Sequence, residues 1–384
     1  MLQKAFHGIL GSMLLAAGVA SLLVACSAQP AVTPAPVTAA PVSWQERWQN
    51  TLNAARQEGK VVIYSGMSSV FQAEIGKSLK DKYGIEAEWV PGRGSEIAAK
   101  VIRERTAGIY SADAFIVGSG SLINTIKPEK FLERLDSLLI IPEVTDGKGW
   151  QQGKIPFMDP KDHNIIAFAG YVGTFTAANS DMVKEGEIKS YQDLLAPKWK
   201  GQIVLLDPTF MGAGSEWLSC TLRLMGTDKG MEFVKAMVNQ EPVVTRDVAL
   251  QADWIAKGKK AIALGANMEA VNTLKAAGAP VKWLRLAEGV EIAPGNSCLA
   301  VPQKAAHPNA AAVFVNYLLS KEGGAAVVKG ANVPSARSDV PTAGLDPFLV
   351  PVAGEKAFVV DEDYFLEMPK QMEAAKPILA PLLK

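Results

Sequence analysis

Three times in its first third, the chain runs through a short apolar strand, a loop of glycine and serine, and a segment of helical periodicity. That alternation restricts the fold more than any other feature. The first unit is Lys60 to Ser65 (KVVIYS), then Gly66, Met67, Ser68 and Ser69, then Phe71, Ile75 and Leu79 on one helical face, closed by Gly84. The second is Ile85 to Val90, the loop Gly92-Arg93-Gly94-Ser95, and a helix carrying Ile97 and Val101. The third is Ala112 to Val117, the loop Gly118-Ser119-Gly120-Ser121, and a further helix. Strands alternating with helices predict an α/β fold with a mostly parallel sheet, in which ligands sit beyond the carboxyl ends of the strands. Glycine and serine also serve as plain turn and cap residues, so each loop alone has a second, purely structural reading.

A similar pattern returns later. Gln202 to Leu206 reads as a strand, Asp207-Pro208 breaks it, and Gly212-Ala213-Gly214 leads to Ser215 as the N-cap of a helix bearing Trp217, Leu218, Leu222 and Met225. A helix start behind small residues exposes backbone N–H groups at the positive end of the dipole, where an anion can be held. Around this stretch lie a long β-like run from Asn164 to Ala177, interrupted by Gly170 and Gly173, and a short strand, Pro242 to Thr245, followed by Arg246. Further on come the strand Lys260 to Leu264 ending in Gly265-Ala266-Asn267, then Val281 to Leu286, Ser297 to Val301, and a helix opened by His307-Pro308-Asn309. The pattern is that of a second α/β unit followed by a return to the first. There is no heptad run, repeat array or later membrane span in the sequence.

The first residues belong to neither unit. Lys4 and His7 precede an apolar run from Ile9 that ends in Leu23-Val24-Ala25-Cys26. This ending resembles a bacterial lipobox, which implies a signal peptide over 1–25 and a lipidated Cys26 as the mature N-terminus. Residues 27–43 are rich in alanine and proline and carry no charge, as expected of an extended tether. Removing the signal takes away Lys4 and leaves 38 basic against 39 acidic residues. That balance gives no electrostatic footprint for nucleic acid. Cys220 and Cys298 have no metal or disulfide spacing and are read as two buried thiols.

Taken in order, several segments resemble the solute-binding proteins of ABC transporters, in the two-lobed extracellular type related to ferric-iron-binding proteins. They are Glu58-Gly59-Lys60-Val61-Val62-Ile63-Tyr64, Leu194 to Gly201 (LLAPKWKG), Ala293 to Val301 (APGNSCLAV), His307-Pro308-Asn309-Ala310-Ala311 and Arg337-Ser338-Asp339-Val340. The resemblance spans essentially the whole chain from Trp44. It implies a periplasmic-binding-protein-like fold of two lobes, each a mostly parallel sheet flanked by helices, joined by hinge strands near Ile165 to Thr176 and Ser297 to Val301. On that basis lobe 1 comprises 44–167 plus 298–340 and lobe 2 comprises 168–297, with 341–384 packing on both and 26–43 as tether. It also implies an interlobe cleft, delivery of the ligand to a membrane permease, an extracytoplasmic location and action as a monomer, without cofactor or catalysis.

The iron-binding relatives hold Fe(III) with two adjacent tyrosines after a strand and commonly a histidine near the first strand. The corresponding loop here, Gly265 to Glu269, has no tyrosine, Ser65 to Ser69 has no histidine, and no Tyr-Tyr pair occurs in the chain. The expectation is therefore a small organic anion with a carboxylate or phosphate-like head. Ferric iron or another metal is the alternative, and an enzyme on the same scaffold a more distant one. There is no G-x-S-x-G, P-loop or H-E-x-x-H motif, and only His163 and His307 follow the signal. The candidate ligand residues are Ser65, Gly66, Ser68, Arg93, Gly94, Ser95, Ser119, Gly214, Ser215 and Asn267 on the loops, with Tyr171 and Phe210 as aromatic covers. Arg93 and Arg246 are the candidate counter-ions, since a guanidinium pairs bidentately with carboxylate or phosphate. A surface arginine would have the same sequence signature as Arg93, and Arg246 has the alternatives of capping structure or pairing with Asp247.

Overall fold

The computed structural model describes residues 42–383. Cys26, the signal segment 1–25 and the tether as far as residue 41 lie outside the described residues. Helix Trp44–Glu58, capped by the Ser43 hydroxyl, which accepts from the Glu46 N–H at 3.2 Å, leads into β1 (Lys60–Ser65). Helix Ser69–Tyr83 connects β1 to β2 (Glu86–Pro91), and helix Gly94–Thr106 connects β2 to β3 (Ala114–Val117). Both β2 and β3 pair with β1 in parallel, so the loops after all three strands leave from one edge of the sheet. Residues Val61 to Ser65 of β1 are all buried, as expected of a strand covered on both faces. Phe71, Ile75 and Leu79 are fully buried from the first crossover helix, each contributing about 1.5–3 kcal/mol of hydrophobic stabilisation. After β3 the expected helix is only one turn, Ser119–Ser121, followed by a wide π-type turn, Leu122–Ile126.

The long β-like run is three short strands, because the chain passes through three sheets in a few residues. β4 (Ile166–Ala167) belongs with the first sheet, β5 (Tyr171–Gly173) with a small middle sheet, and β6 (Thr176–Asn179) with the second large sheet. In the second lobe, β7 (Ile203–Leu206) pairs in parallel with β8 (Val243–Thr245) and β9 (Ile262–Leu264), while β10 (Val281–Trp283) lies antiparallel to β6. The return path uses β11 (Val290–Ala293) in the middle sheet and then β12 (Cys298–Ala300), which pairs antiparallel with β3 and β4. β13 (Ala357–Val359) completes the middle sheet. The sheet orders are β2-β1-β3-β12-β4, β10-β6-β9-β7-β8 and β13-β11-β5.

The chain returns through Val290–Ala293 of the middle sheet, while Ser297 to Val301, expected as a hinge strand, contributes Cys298–Ala300 to the first sheet. The sequence of Val290–Ala293 sits between Gly289 and Pro294-Gly295, which disguises it as a link. The C-terminal helix Glu362–Leu379 joins both cores: Met368 and Met372 pack with Val62 and Phe115 of the first lobe, and Ala375 and Leu379 with Trp217 and Leu222 of the second. Cys220 and Cys298 are buried and free. His307 is only partly exposed, with Nδ1 2.7 Å from buried Asp113, which ties the start of helix Pro308–Leu319 to the first sheet. Among the described residues no helix is long and apolar enough to cross a membrane.

Candidate functional site

Three hollows share lining residues in sequence, and the second and third are bordered by the middle sheet. The first is lined by Ser65, Gly66, Pro91, Arg93, Gly94 and Asn296 among others, at the carboxyl ends of β1 and β2. The second shares Gly66 and Asn296 with it, adds Ser68 and Tyr171, and reaches Met268 and Glu269 of the second lobe. The third, about 260 Å³, shares Tyr171, Met268 and Glu269 with the second and adds Ser119, Ala213, Glu216, Asn267, Glu291 and Tyr364. Residues from both lobes, the hinge and the C-terminal helix therefore face one continuous cleft.

The loops that open onto it are held by their own side chains. The buried Ser65 hydroxyl accepts from the Met67 N–H at 3.1 Å, and that of Ser68 accepts from Phe71 N–H at 3.3 Å as the cap of helix Ser69–Tyr83. The Asn267 side chain accepts from Ala270 N–H at 3.0 Å and caps helix Met268–Ala276. Neighbouring loops are tied by Gly92 N–H donating to Ser65 O at 3.1 Å and Gly66 N–H to Ile116 O at 2.9 Å. Arg93 is exposed at the start of its helix, its backbone N–H donating to the Glu96 carboxylate at 3.0 Å, and it lines the first hollow. Ser95 is exposed and lines none of the three hollows.

The second-lobe loop behaves differently from its sequence reading. Helix Ala213–Met225 begins two residues before Ser215, with Gly212 as its cap. Ser215 is fully buried, its hydroxyl accepting from Gly212 N–H at 3.1 Å and donating to Gly212 O at 2.9 Å. A Cβ on Gly214 would lie 2.6 Å from the carbonyl oxygens of Leu206 and Asp207, so this glycine serves close helix–strand packing rather than ligand approach. Arg246 pairs with Asp207, not Asp247, at 2.8 Å, and lies 3.7 Å from the centre of the Phe210 ring. Arg246 and Phe210 stack on one another beside the loop and line none of the three hollows.

The groups that sequence reasoning missed are acidic. Glu291 projects from β11 opposite Gly173 of β5, where its Oε1 lies 2.8 Å from the position a Cβ on Gly173 would take. That strand glycine is there to admit the carboxyl. Val290, Ile292 and Val172 turn to the other face and pack together, leaving Glu291 as the polar residue of an otherwise apolar strand, which was the signal available in the sequence. Burial, with Glu216 beside it, pushes the Glu291 carboxyl well above the usual carboxylate range. Burial also raises Glu216 in the first turn of its helix, and raises the Tyr171 phenol. Tyr364 reaches the cleft from the C-terminal helix and donates to the Glu216 carbonyl at 3.0 Å.

Two α/β lobes joined by short hinge strands around a solvent-accessible cleft define a periplasmic-type binding protein, built to close on a small solute. The family model for bacterial extracellular solute-binding proteins matches residues 74–348, and the chain belongs to that family. Proteins of this class take small ligands outside the cytoplasm and deliver them to ABC permeases; they are binding proteins rather than enzymes. An uncharacterized protein of Haemophilus influenzae is 23% identical over 277 residues, 70% of this chain and 75% of that protein. Among solved structures, the periplasmic binding protein AfuA of Actinobacillus pleuropneumoniae, with fructose-6-phosphate bound, is 22% identical with a TM-score of 0.57, covering 84% of this chain and 99% of that one. The Trichodesmium protein IdiA (FutA), with iron and citrate, is 21% identical with a TM-score of 0.63, over 85% of this chain and 99% of its own. These likenesses concern the fold, and their ligands differ from one another.

Proposed function

We propose that the protein is anchored through a lipidated Cys26 and captures a small organic anion, headed by a carboxylate or a phosphate- or phosphonate-like group, for an ABC importer. The observation that carries this reading is the first hollow, which the exposed Arg93 lines together with the Gly/Ser loops at the carboxyl ends of parallel strands. Ser65, Gly66, Ser68, Gly94, Ser119, Tyr171 and Asn267 line the three hollows, which supports the reading; Gly214, Ser215, Phe210 and Arg246 line none of them. Micromolar capture requires about 8 kcal/mol. A helix N-terminus supplies about 0.3–1 kcal/mol when exposed, so no single loop suffices. Contacts from both lobes are required, and such contacts make the ligand favour the closed form.

A ferric site asks for converging anionic oxygen donors. Among the described residues no group of three or more His, Cys, Asp or Glu side chains is placed to hold a metal ion. The test is a thermal-shift screen of carboxylates, phosphonates, sugar phosphates and ferric iron, with native mass spectrometry of freshly purified protein for a ligand carried through purification. Stabilisation by organic anions supports the reading. Stabilisation by ferric iron alone, with the salmon colour of phenolate charge transfer, overturns it.

A further inference from the structure

The two ends of the cleft differ in charge. The first hollow carries Arg93; the third is lined by Glu216, Glu269 and Glu291, with Tyr171, Tyr364 and Phe365 as aromatic walls. Among the described residues no Lys, Arg or His lines that third recess. Glu291 lines this recess, is only 2% exposed and keeps a buried Oε2 with no hydrogen-bond partner, the Tyr364 hydroxyl being the one neighbour that favours its ionised form. Buried carboxylates are normally paired with a cation or fully hydrogen-bonded, so an incompletely partnered carboxyl beside a ligand-sized recess points to a partner supplied from solution. Aromatic faces beside carboxylates are also the surroundings in which organic ammonium groups are held.

We propose that this recess receives an ammonium group of the ligand, with Glu291 and Glu216 as its counter-ions, so that the solute captured is a zwitterion whose anionic head lies toward Arg93. The inference rests on the anion-capture reading and adds the substrate class to it. The second hollow shares Asn296 with the first and Tyr171 and Glu269 with the third, so it links the two ends of the cleft. No group of three or more His, Cys, Asp or Glu side chains among the described residues is placed to hold a metal ion, and burial raises the Tyr171 phenol, which disfavours the phenolate a ferric site uses and favours a diffuse organic cation.

Proton linkage gives a second signature. The titratable groups facing Glu291 are Glu216 and Cys220 on helix Ala213–Met225, Tyr171 on β5, Tyr364 on the C-terminal helix, and Tyr191. None is a cation, so burial and Glu216 favour the protonated form of Glu291 over the ionised form that Tyr364 supports, until a cation enters. An entering ammonium favours the carboxylate, and the proton leaves to solvent. Affinity for an ammonium compound accordingly falls as the pH is lowered, because the proton competes with it.

The experiment uses matched pairs on the mature chain: phosphocholine against 3,3-dimethylbutyl phosphate, and 4-aminobutyrate against valerate. The expected result is at least tenfold tighter binding of the ammonium member of one pair, with proton release seen by calorimetry in buffers of different ionisation enthalpy. Glu291→Gln should erase the preference while keeping the affinity for the ammonium-free isostere. Should that variant fail to fold, Glu216→Gln is to reduce the preference in the same direction. Equal or tighter binding of the ammonium-free isosteres, or a preference that survives both substitutions, overturns the recess and leaves anion capture standing. No stabilisation by any of the four compounds, with stabilisation by ferric iron, overturns both.

Discussion

The Gly/Ser loops of the first lobe and the Gly-Ala-Gly-Ser loop of lobe 2 are alike in sequence and do different things. After β1 and β2, and at Ser119 after β3, the loops open onto the cleft. Their hydroxyls and amides make local turns and caps, and Arg93 is left exposed at the edge. After β7 the loop is closed on itself, with Ser215 buried, Gly214 pressed against the strand end, and Arg246 held by Asp207. A glycine in front of a helix is thus equally suited to letting a ligand approach and to letting the helix approach its own strand. Only the long-range packing decides between them.

The sharpest way to break this contrast is Gly214→Val. A side chain there meets the Leu206 and Asp207 carbonyls, so overpacking should cost about 3 kcal/mol of stability in urea unfolding, with binding lost only as the fold is lost. Intact stability with abolished binding would instead restore this loop to the ligand. Next in size is Arg93→Ala. Removing a charge-assisted hydrogen bond worth about 1.5–3 kcal/mol should weaken an anionic ligand roughly ten- to hundredfold in calorimetry, at unchanged stability.

Arg246→Ala should leave affinity within about twofold, because its partners are Asp207 and Phe210; destabilisation by thermal unfolding should stay near or below about 1 kcal/mol, as expected of a pair with one exposed member. The smallest effect is on pH. Burial works against ionisation of Asp207, but hydrogen bonds from Thr209 and Arg246 prevail and hold it below the usual carboxylate range. Its contribution is therefore present above the unfolded value of about 3.9 and lost as pH falls through the lower folded value. Hydrogen exchange at Thr209 to Ser215 should rise in that acidic window before the first-lobe loops respond.

Much of the architecture was legible because β1 to β3 and the helices after β1 and β2 are local units with strong periodicity: Phe71, Ile75 and Leu79 on one face, and buried apolar residues in β1 and β3. The His307-Pro308 helix start was equally local. The acidic recess was not legible. Glu216, Glu291 and Tyr364 come from a helix turn, a four-residue hinge strand and the C-terminal helix, and only the tertiary fold brings them to one hollow. Arg246 was misplaced for the same reason: its partner Asp207 is 39 residues away, across parallel strands β7 and β8.

The central claim, capture of an organic anion with its head at the first-lobe loops, is tested most directly by one calorimetric comparison. The best-binding anion from the ligand screen and its uncharged analogue are titrated into the wild-type protein and Arg93→Ala. The account predicts a loss of at least tenfold for the anion and little change for the neutral analogue. An equal loss for both, or no loss for either, would contradict it.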